Sequence, residues 1–167
     1  MILGRVWKFG DDINTDLMLP GPLLTATEAE QARAVFAANR PGWVDQVRPG
    51  DVIIGGRNFG TGSSRPAARS LRNIGLGCLV AESINGLFFR NAVSFGFLAL
   101  ECPGVYAAFE EGQGAEISLA DWSVQNRDTG AVLHATPIPE RLLSLMTSGG
   151  IYPLLEAEGL IAPKSTA

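Results

Sequence analysis

The stretch from residue 51 to residue 102, "DVIIGGRNFGTGSSRPAARSLRNIGLGCLVAESINGLFFRNAVSFGFLALEC", decides the fold class. Three short apolar runs in it, "DVIIG", "GCLVAES" and "FLALEC", have the composition of strands that are buried on both faces of a sheet. Two helix-like segments, "PAARSLRNIG" and "INGLFFRNAVSFG", lie between them, and each ends on a glycine. This alternation predicts a parallel sheet with right-handed crossovers, and therefore an α/β fold.

The segments on either side predict further elements. Ahead of the stretch, "ILGRVWK" is expected to form a first strand, and Thr27 is expected to cap a helix over "EAEQARAVFAAN". Beyond residue 110, alternating residues and the turn sequence Asp128-Thr129-Gly130 predict antiparallel strands. Two short helices, "PERLLSLMTSG" and "YPLLEAEG", are expected after them. Without a linker or a repeat, we expect residues 1–167 to form a single domain.

Composition excludes several classes of function. The net charge of −4 disfavours a nucleic-acid partner, which usually needs a basic face. No apolar run approaches the roughly 20 residues of a membrane span, and the first residues lack the pattern of a signal peptide. Cys78 and Cys102 are too few and too far apart to form a zinc or iron–sulfur ligand set. We therefore expect a cytoplasmic protein with reduced thiols, no metal and no membrane contact.

The glycine-rich sequence "GRNFGTGSSR" at residues 56–65 fails three familiar templates. Thr61 stands where a phosphate-binding Walker loop has Lys, and Arg65 stands where a dinucleotide fingerprint has Gly. The serines lack the spacing of a nucleophile elbow, and the single histidine, His134, is about seventy residues away. No catalytic triad is therefore predicted.

Two interpretations of this sequence remain. In the first, the sequence binds an anion, best a carboxylate. The ligand would be held by backbone amides at the following helix start, by the hydroxyls of Ser63 and Ser64 and by the guanidinium of Arg65. The carboxyl end of a parallel strand is also where open α/β sheets bind ligands. Alternatively, the sequence is a simple capped turn with Arg65 in solvent, and residue chemistry alone leaves both interpretations open.

A second polar cluster, Asp12-x-Asn14-x-Asp16, has the first ligand positions of a calcium loop. Leu17 and Leu23 stand where that loop needs its Gly and its bidentate Glu, so the calcium interpretation fails. An Asx-type turn that shapes the following loop is the expected alternative.

Four blocks occur in a characteristic order: "GRVWKFGDDINTDLMLPG", "GRNFGTGSSR", "LVAESINGLFFRNAVSFGFLALEC" and "TSGGIYPLL". Together they resemble the small subunit of 3-isopropylmalate dehydratase, the separate-chain form of the swivelling domain of aconitase-type hydro-lyases. The resemblance covers nearly the whole chain. It implies a three-layer β/β/α swivelling domain with a parallel central sheet.

The resemblance also implies a function. The chain would hold no cofactor itself and would be active only with a large subunit that carries a [4Fe-4S] cluster on three cysteines. Ser63 would be the general base, acting as an alkoxide, while Gly62, Ser64 and Arg65 would bind a substrate carboxylate. A serine can serve as a base only if its anion is strongly stabilised, and a helix start beside an Arg offers such stabilisation.

Two departures from the family pattern bear on the substrate. Pro66-Ala67 follow Arg65 where relatives commonly have Glu-His, and Pro22 stands where they commonly have Arg. The loop from Pro20 to Thr27 is apolar, which favours a hydroxy dicarboxylate with an alkyl arm, such as isopropylmalate or a methylated malate. The competing hypothesis is a non-catalytic anion-binding or interaction module on the same fold.

Overall fold

The computed structural model describes residues 1–62 and 65–163 and has a seven-stranded sheet of order β4-β3-β2-β1-β5-β6-β7. The strands are β1 (Ile2–Phe9), β2 (Val52–Gly55), β3 (Cys78–Ala81), β4 (Ala99–Glu101), β5 (Gly114–Ile117), β6 (Ser123–Asn126) and β7 (Val132–His134). The α-helices are α1 (Thr15–Met18), α2 (Glu28–Arg33), α3 (Ala67–Asn73), α4 (Gly86–Phe95), α5 (Val105–Ala108), α6 (Glu140–Thr147) and α7 (Ile151–Ala157).

The first strand belongs to two differently built halves of the sheet. Its second part pairs in parallel with β2, from Val6 opposite Val52 to Phe9 opposite Gly55. Its first part pairs antiparallel with β5, with Ile2 opposite Ile117. Strands β1 to β4 are all parallel, and β5 to β7 are antiparallel. The expected α/β fold with a parallel central sheet is confirmed, and so is the antiparallel region after residue 110.

Burial explains why the apolar runs form central strands. Every residue of β2 and β3 is buried, as expected for strands covered on both faces. Helix α3 packs against α2 and α4, and α4 packs against α6 and α7. A cluster of aromatic rings, Trp7, Phe9, Phe36 and Trp43, packs beside β1. Strands β1 to β3 thus provide a packed support for the loops that follow them.

Three elements differ from the sequence-based expectation. Thr27 does cap α2 in a reciprocal capping box with Glu30, but the helix ends at Arg33 and not near residue 39. Phe36 takes a left-handed conformation (φ 55°), which places its ring in the core and ends the helical path. Helices α1 and α5 were not predicted, because four-residue helices leave little periodic signal. No helix within the described ranges is long and apolar enough to cross a membrane.

Candidate functional site

Three loops meet where the parallel strands end. The segment 10–16 follows β1, the Gly-rich loop (residues 56–62) follows β2, and the segment 82–85 follows β3. Because parallel strands share one carboxyl edge, the polar residues that the sequence places after each strand are brought together there. This edge is where the sequence places its candidate site.

Backbone hydrogen bonds hold the Gly-rich loop between its two neighbours. On one side, the amide of Gly60 donates to the carbonyl of Ile13 (2.8 Å), and the amide of Thr15 donates to the carbonyl of Thr61 (2.8 Å). On the other side, the amide of Phe59 donates to the carbonyl of Ser83 (3.0 Å). The Phe59 ring is fully buried. The loop is therefore held on both sides by main-chain contacts and by one buried ring.

Gly62 is required at its position for two reasons. Its φ of +100° lies in a region that side-chain-bearing residues rarely adopt. A Cβ on Gly62 would also lie 2.5 Å from Asn14 Oδ1 and 3.0 Å from Thr15 Oγ1. The Gly-rich loop therefore approaches the segment 10–16 more closely than any other residue type allows.

Asn14 gives the segment 10–16 its shape. Its Oδ1 accepts a hydrogen bond from the amide of Asp16 (2.8 Å) and so caps α1. The Asx-type turn expected from the sequence is confirmed. Asp16 is thereby placed on the first turn of α1, on the side of Arg65.

Arg65 is anchored at the carboxyl edge rather than extended into solvent. Its Nη2 lies 3.0 Å from Asp16 Oδ1, and its Nη1 donates to the carbonyl of Leu19 (3.0 Å). Its side chain is only 19% exposed. The expectation of a solvated Arg65, one part of the capped-turn interpretation, is therefore wrong, whereas the anion site itself stays a prediction. The guanidinium is fixed in orientation by α1, as a group that recognises a planar carboxylate must be.

The start of α3 differs from the expected amide pocket. Pro66 is the residue before the helix and not its first residue. The amide of Ala67 donates to the carbonyl of Arg65 (2.7 Å), and the amide of Ala68 donates to Asn91 Oδ1 (2.9 Å). These two amides are satisfied within the chain, so the expectation that they would bind an anion is wrong. Ser63 and Ser64 lie outside the described residues.

Two further arginines near Arg65 in sequence, at positions 57 and 69, have the chemistry for a second carboxylate contact. Arg69 is held by α2, where its guanidinium donates to Gln31 Oε1 (2.9 Å) and lies 3.4 Å from Glu28 Oε1. Arg57 is on the Gly-rich loop, its side chain is 78% exposed, and its Nε is 3.7 Å from Asp11 Oδ2. Arg57 also borders a cavity of about 500 Å³, together with Asp11 and Glu82. The exposed position of Arg57 on the Gly-rich loop thus leaves its guanidinium accessible to a ligand or a partner chain.

The cysteines do not fit an iron–sulfur cluster. Both are buried free thiols, Cys78 in β3 and Cys102 just after β4. Burial raises the pKa of Cys78 to about 12. Burial, with the nearby Glu82 carboxylate, raises that of Cys102 to about 11. Because cluster ligands are thiolates, these positions are unsuited to the role. Within residues 1–62 and 65–163, no group of three or more His, Cys, Asp or Glu side chains is placed to hold a metal ion.

Sequence reasoning missed the residues that hold the site together. Asp16 was assigned to a turn, yet it is also the ion-pair partner of Arg65. Asn58, Ser83 and Asn85 join the Gly-rich loop to its neighbours through side-chain hydrogen bonds. No local pattern could have identified these contacts, because each joins loops from different strands.

Comparisons with known proteins identify the family of the chain. A family model described as "Aconitase C-terminal domain" matches residues 20–104. The 3-isopropylmalate dehydratase small subunit 1 of Methanopyrus kandleri is 44% identical over 95% of both chains. The isopropylmalate/citramalate isomerase small subunit of Methanocaldococcus jannaschii is 39% identical over 93% of this chain and 94% of that one.

A solved structure shares the fold as well. The crystal structure of a 3-isopropylmalate dehydratase chain from Methanocaldococcus jannaschii superposes with a TM-score of 0.88, at 30% identity and over 95% of each chain. The matched family model includes β2, β3, β4 and the Gly-rich loop between the first two. The chain therefore belongs to the aconitase C-terminal domain family, among the small subunits of 3-isopropylmalate dehydratase.

Proposed function

We propose that this chain completes the active site of a hydro-lyase that isomerises a hydroxy dicarboxylate of the 3-isopropylmalate or methylmalate type by dehydration and rehydration. The observation that carries the proposal is Arg65, which Asp16 and Leu19 hold in one orientation at the carboxyl edge. A carboxylate bound there would lie beside the Gly-rich loop. The family of the chain favours this enzyme over a non-catalytic binding module.

The residues of this chain would divide the work as follows. Arg65 would bind a substrate carboxylate, with Ser64 and the Gly62 segment of the loop beside it. Ser63 would remove the proton from the carbon next to that carboxylate and later return a proton. A serine can act as a base only where its anion is strongly stabilised, and the Arg65 guanidinium supplies positive charge two residues away.

The apolar loop that follows α1 supports a substrate with an alkyl arm. It lies directly against Arg65, since a Cβ on Gly21 would be 3.5 Å from Arg65 Nη1. Pro22 is exposed, and so is Leu24 at 45%. A substrate whose carboxylate binds Arg65 would place its next substituent near these side chains. Apolar side chains favour an alkyl group at that place over a third carboxylate.

The remaining chemistry would come from the partner. As a small subunit, the chain requires a large subunit, which we expect to hold a [4Fe-4S] cluster. Such a cluster supplies Lewis-acid polarisation of the substrate hydroxyl that leaves. We also propose a cytoplasmic location and a single domain over residues 1–167. The free thiols of Cys78 and Cys102 support a reducing compartment.

The test is turnover by the assembled enzyme. The chain is co-expressed with its large subunit, the cluster is reconstituted anaerobically, and the absorbance of the unsaturated acid is followed. We expect turnover of alkylated malates in preference to tricarboxylic hydroxy acids. An intact complex with a loaded cluster and no turnover of any malate-type acid would refute the proposal. A preference for a tricarboxylic acid would refute the alkyl-arm assignment.

Two variants test the assigned roles. Ser63→Ala should abolish turnover without loss of assembly. The matched control Ser94→Ala, whose hydroxyl donates to the Arg90 carbonyl of its own helix, should retain turnover. Arg65→Lys should raise KM by about 10–100-fold, because a lysine cannot reproduce the planar two-point contact. Unchanged turnover in Ser63→Ala would contradict the base assignment.

A further inference from the structure

We infer that Asn58 is a positioning residue of the active site, which sets the path of the Gly-rich loop through hydrogen bonds that cross three loops. Its Nδ2 donates to Asp12 Oδ1 (2.8 Å), in the loop after β1. Its Oδ1 accepts a longer bond from Asn85 Nδ2 (3.4 Å), in the loop after β3. Its amide donates to Ser83 Oγ (2.9 Å). The inference rests on the proposed function, because the Gly-rich loop leads directly to Ser63 in the sequence.

The chain of hydrogen bonds ends at a rigid element. Asn85 is the residue that caps α4, and its Oδ1 accepts from the amide of Leu87 (3.0 Å). The position of Asn58 is therefore tied to the ten-residue helix α4 on one side and to the end of β1, through Asp12, on the other. These two hydrogen bonds of Asn58 fix the Gly-rich loop relative to the loops after β1 and β3.

The backbone at these positions explains why the residues are Asn and Asp. Asn58 and Asp12 both have a φ of 54°, in the left-handed region. Asn and Asp enter this region more readily than other residues with side chains. Asn58 turns the chain immediately before Phe59, whose buried ring and main-chain bonds fix the rest of the loop. Asn58 therefore sets the direction in which the chain enters Phe59 and the residues up to Gly62.

A role in positioning differs from a role in overall stability. Asp12 and Asn58 are both exposed, so their contact buries little apolar surface. Catalytic rates, in contrast, respond strongly to small displacements, and a shift of about 1 Å can cost roughly 100-fold in rate. We therefore expect changes at Asn58 to affect turnover far more than unfolding.

The first test reverses the donor and the acceptor. Asn58→Asp places a second carboxylate opposite Asp12 and should lower kcat of the reconstituted complex by about 10–100-fold, with a smaller change in KM. The double variant Asp12→Asn/Asn58→Asp restores a donor and an acceptor in exchanged order, and should return kcat to within about threefold of the original. A double variant no better than Asn58→Asp alone would overturn the inference.

A matched control exists at the other end of α3. Asn73 Nδ2 donates to Glu28 Oε2 (3.0 Å), so Asn73→Asp also opposes two carboxylates, but at the end of the helix away from the Gly-rich loop. This variant should leave kcat unchanged. An equal loss of kcat in Asn73→Asp would show that any such repulsion lowers turnover, and would overturn the specific role of Asn58.

A second readout does not depend on turnover. Hydrogen exchange of the assembled complex, followed by mass spectrometry in a peptide over residues 56–66, reports on the loop directly. Asn58→Asp should raise exchange there about tenfold, the double variant should reverse it, and Asn73→Asp should not change it. If the parent complex shows no turnover, the proposed function fails, yet exchange still decides the inference. Unchanged exchange in Asn58→Asp would overturn it.

Discussion

Replacement of Gly62 by alanine tests whether the Gly-rich loop depends on its close contact with the segment 10–16. Gly62→Ala introduces a methyl group at a φ of +100°, 2.5 Å from Asn14 Oδ1 and 3.1 Å from Asn14 Cγ. Asn14 must then move, although its Oδ1 caps α1 through the amide of Asp16. Because Asp16 also pairs with Arg65, one methyl group disturbs the turn, the cap and the ion pair together.

The expected decrease in the free energy of unfolding of Gly62→Ala is the sum of three contributions. A residue with a side chain at this φ costs roughly 1–3 kcal/mol. Loss of the Asn14 cap costs about 1 kcal/mol. The displacement of packed atoms costs a further 1–3 kcal/mol or so. Gly112→Ala provides the control, because Gly112 has a φ of +90° and nothing within 4 Å of its Cβ position. The control carries only the first contribution, so Gly62→Ala should be destabilised by about 2–4 kcal/mol more.

The assay is equilibrium unfolding of the full chain in urea, followed by circular dichroism, with the free energy of unfolding extrapolated to water. We expect equal slopes for the three proteins and a midpoint for Gly62→Ala well below that of Gly112→Ala. In the reconstituted complex, Gly62→Ala should also lose turnover. If the two variants had the same free energy of unfolding, to within about 0.5 kcal/mol, the loop would not depend on this contact.

Three further predictions concern the rest of the molecule. Burial pushes the pKa of Asp51 up, but hydrogen bonds from the Arg48 amide, Arg5 and Trp7 outweigh it and hold this pKa below the ordinary value of 3.8. The stability that Asp51 contributes is complete above that value and is lost as pH falls through the lower folded pKa. In urea titrations between about pH 5 and 2, the free energy of unfolding of Asp51→Asn should therefore decline less steeply than that of the original chain. Parallel declines of the two proteins would contradict this. Gly150→Ala places a Cβ against the Ser94 carbonyl at a φ of +99°, and its Tm should fall below that of Gly159→Ala, which has a φ of +71° and open space; equal Tm values would argue against the contact. Because burial raises the pKa of Cys78 to about 12, a thiol reagent at neutral pH should label it only on unfolding, and rapid labelling of the native chain would disprove its protection.

The elements of the parallel half could be predicted because their signals are local. Residues 52–55 and 78–81 are apolar at every position, or nearly so, and every one of them is buried. The helix over residues 28–39 was predicted too long for a tertiary reason. Good helix formers continue past Arg33, but Phe36 gains more from the aromatic core beside Phe9 than from another helical turn.

The sequence predicts the chemistry of a candidate site, but it could not predict the contacts that hold Arg65. Residue types and strand order indicate an anion site at the carboxyl edge, and the anchored Arg65 agrees with it. The partners of Arg65 lie more than forty residues earlier in the chain, and no spacing rule links them. The sequence also gives no sign of the left-handed turns at Asp12 and Asn58, because Asp and Asn are common in ordinary loops. The roles of Gly62, Ser63, Ser64 and Arg65 in catalysis stay predictions.

The shared strand β1 has a consequence for how the chain is made. Ile2 pairs with Ile117, which is synthesised 115 residues later, whereas Val6 needs only Val52. At about 5–20 residues per second, the first part of β1 waits roughly 6–23 s for its antiparallel partner. The parallel half can assemble on the ribosome during that interval, with the unpaired edge of β1 exposed to other nascent chains. Contacts so distant in sequence also slow folding. The antiparallel pairing with β5 thus makes the N-terminal strand the one that waits longest for its second partner and the one most exposed to mispairing.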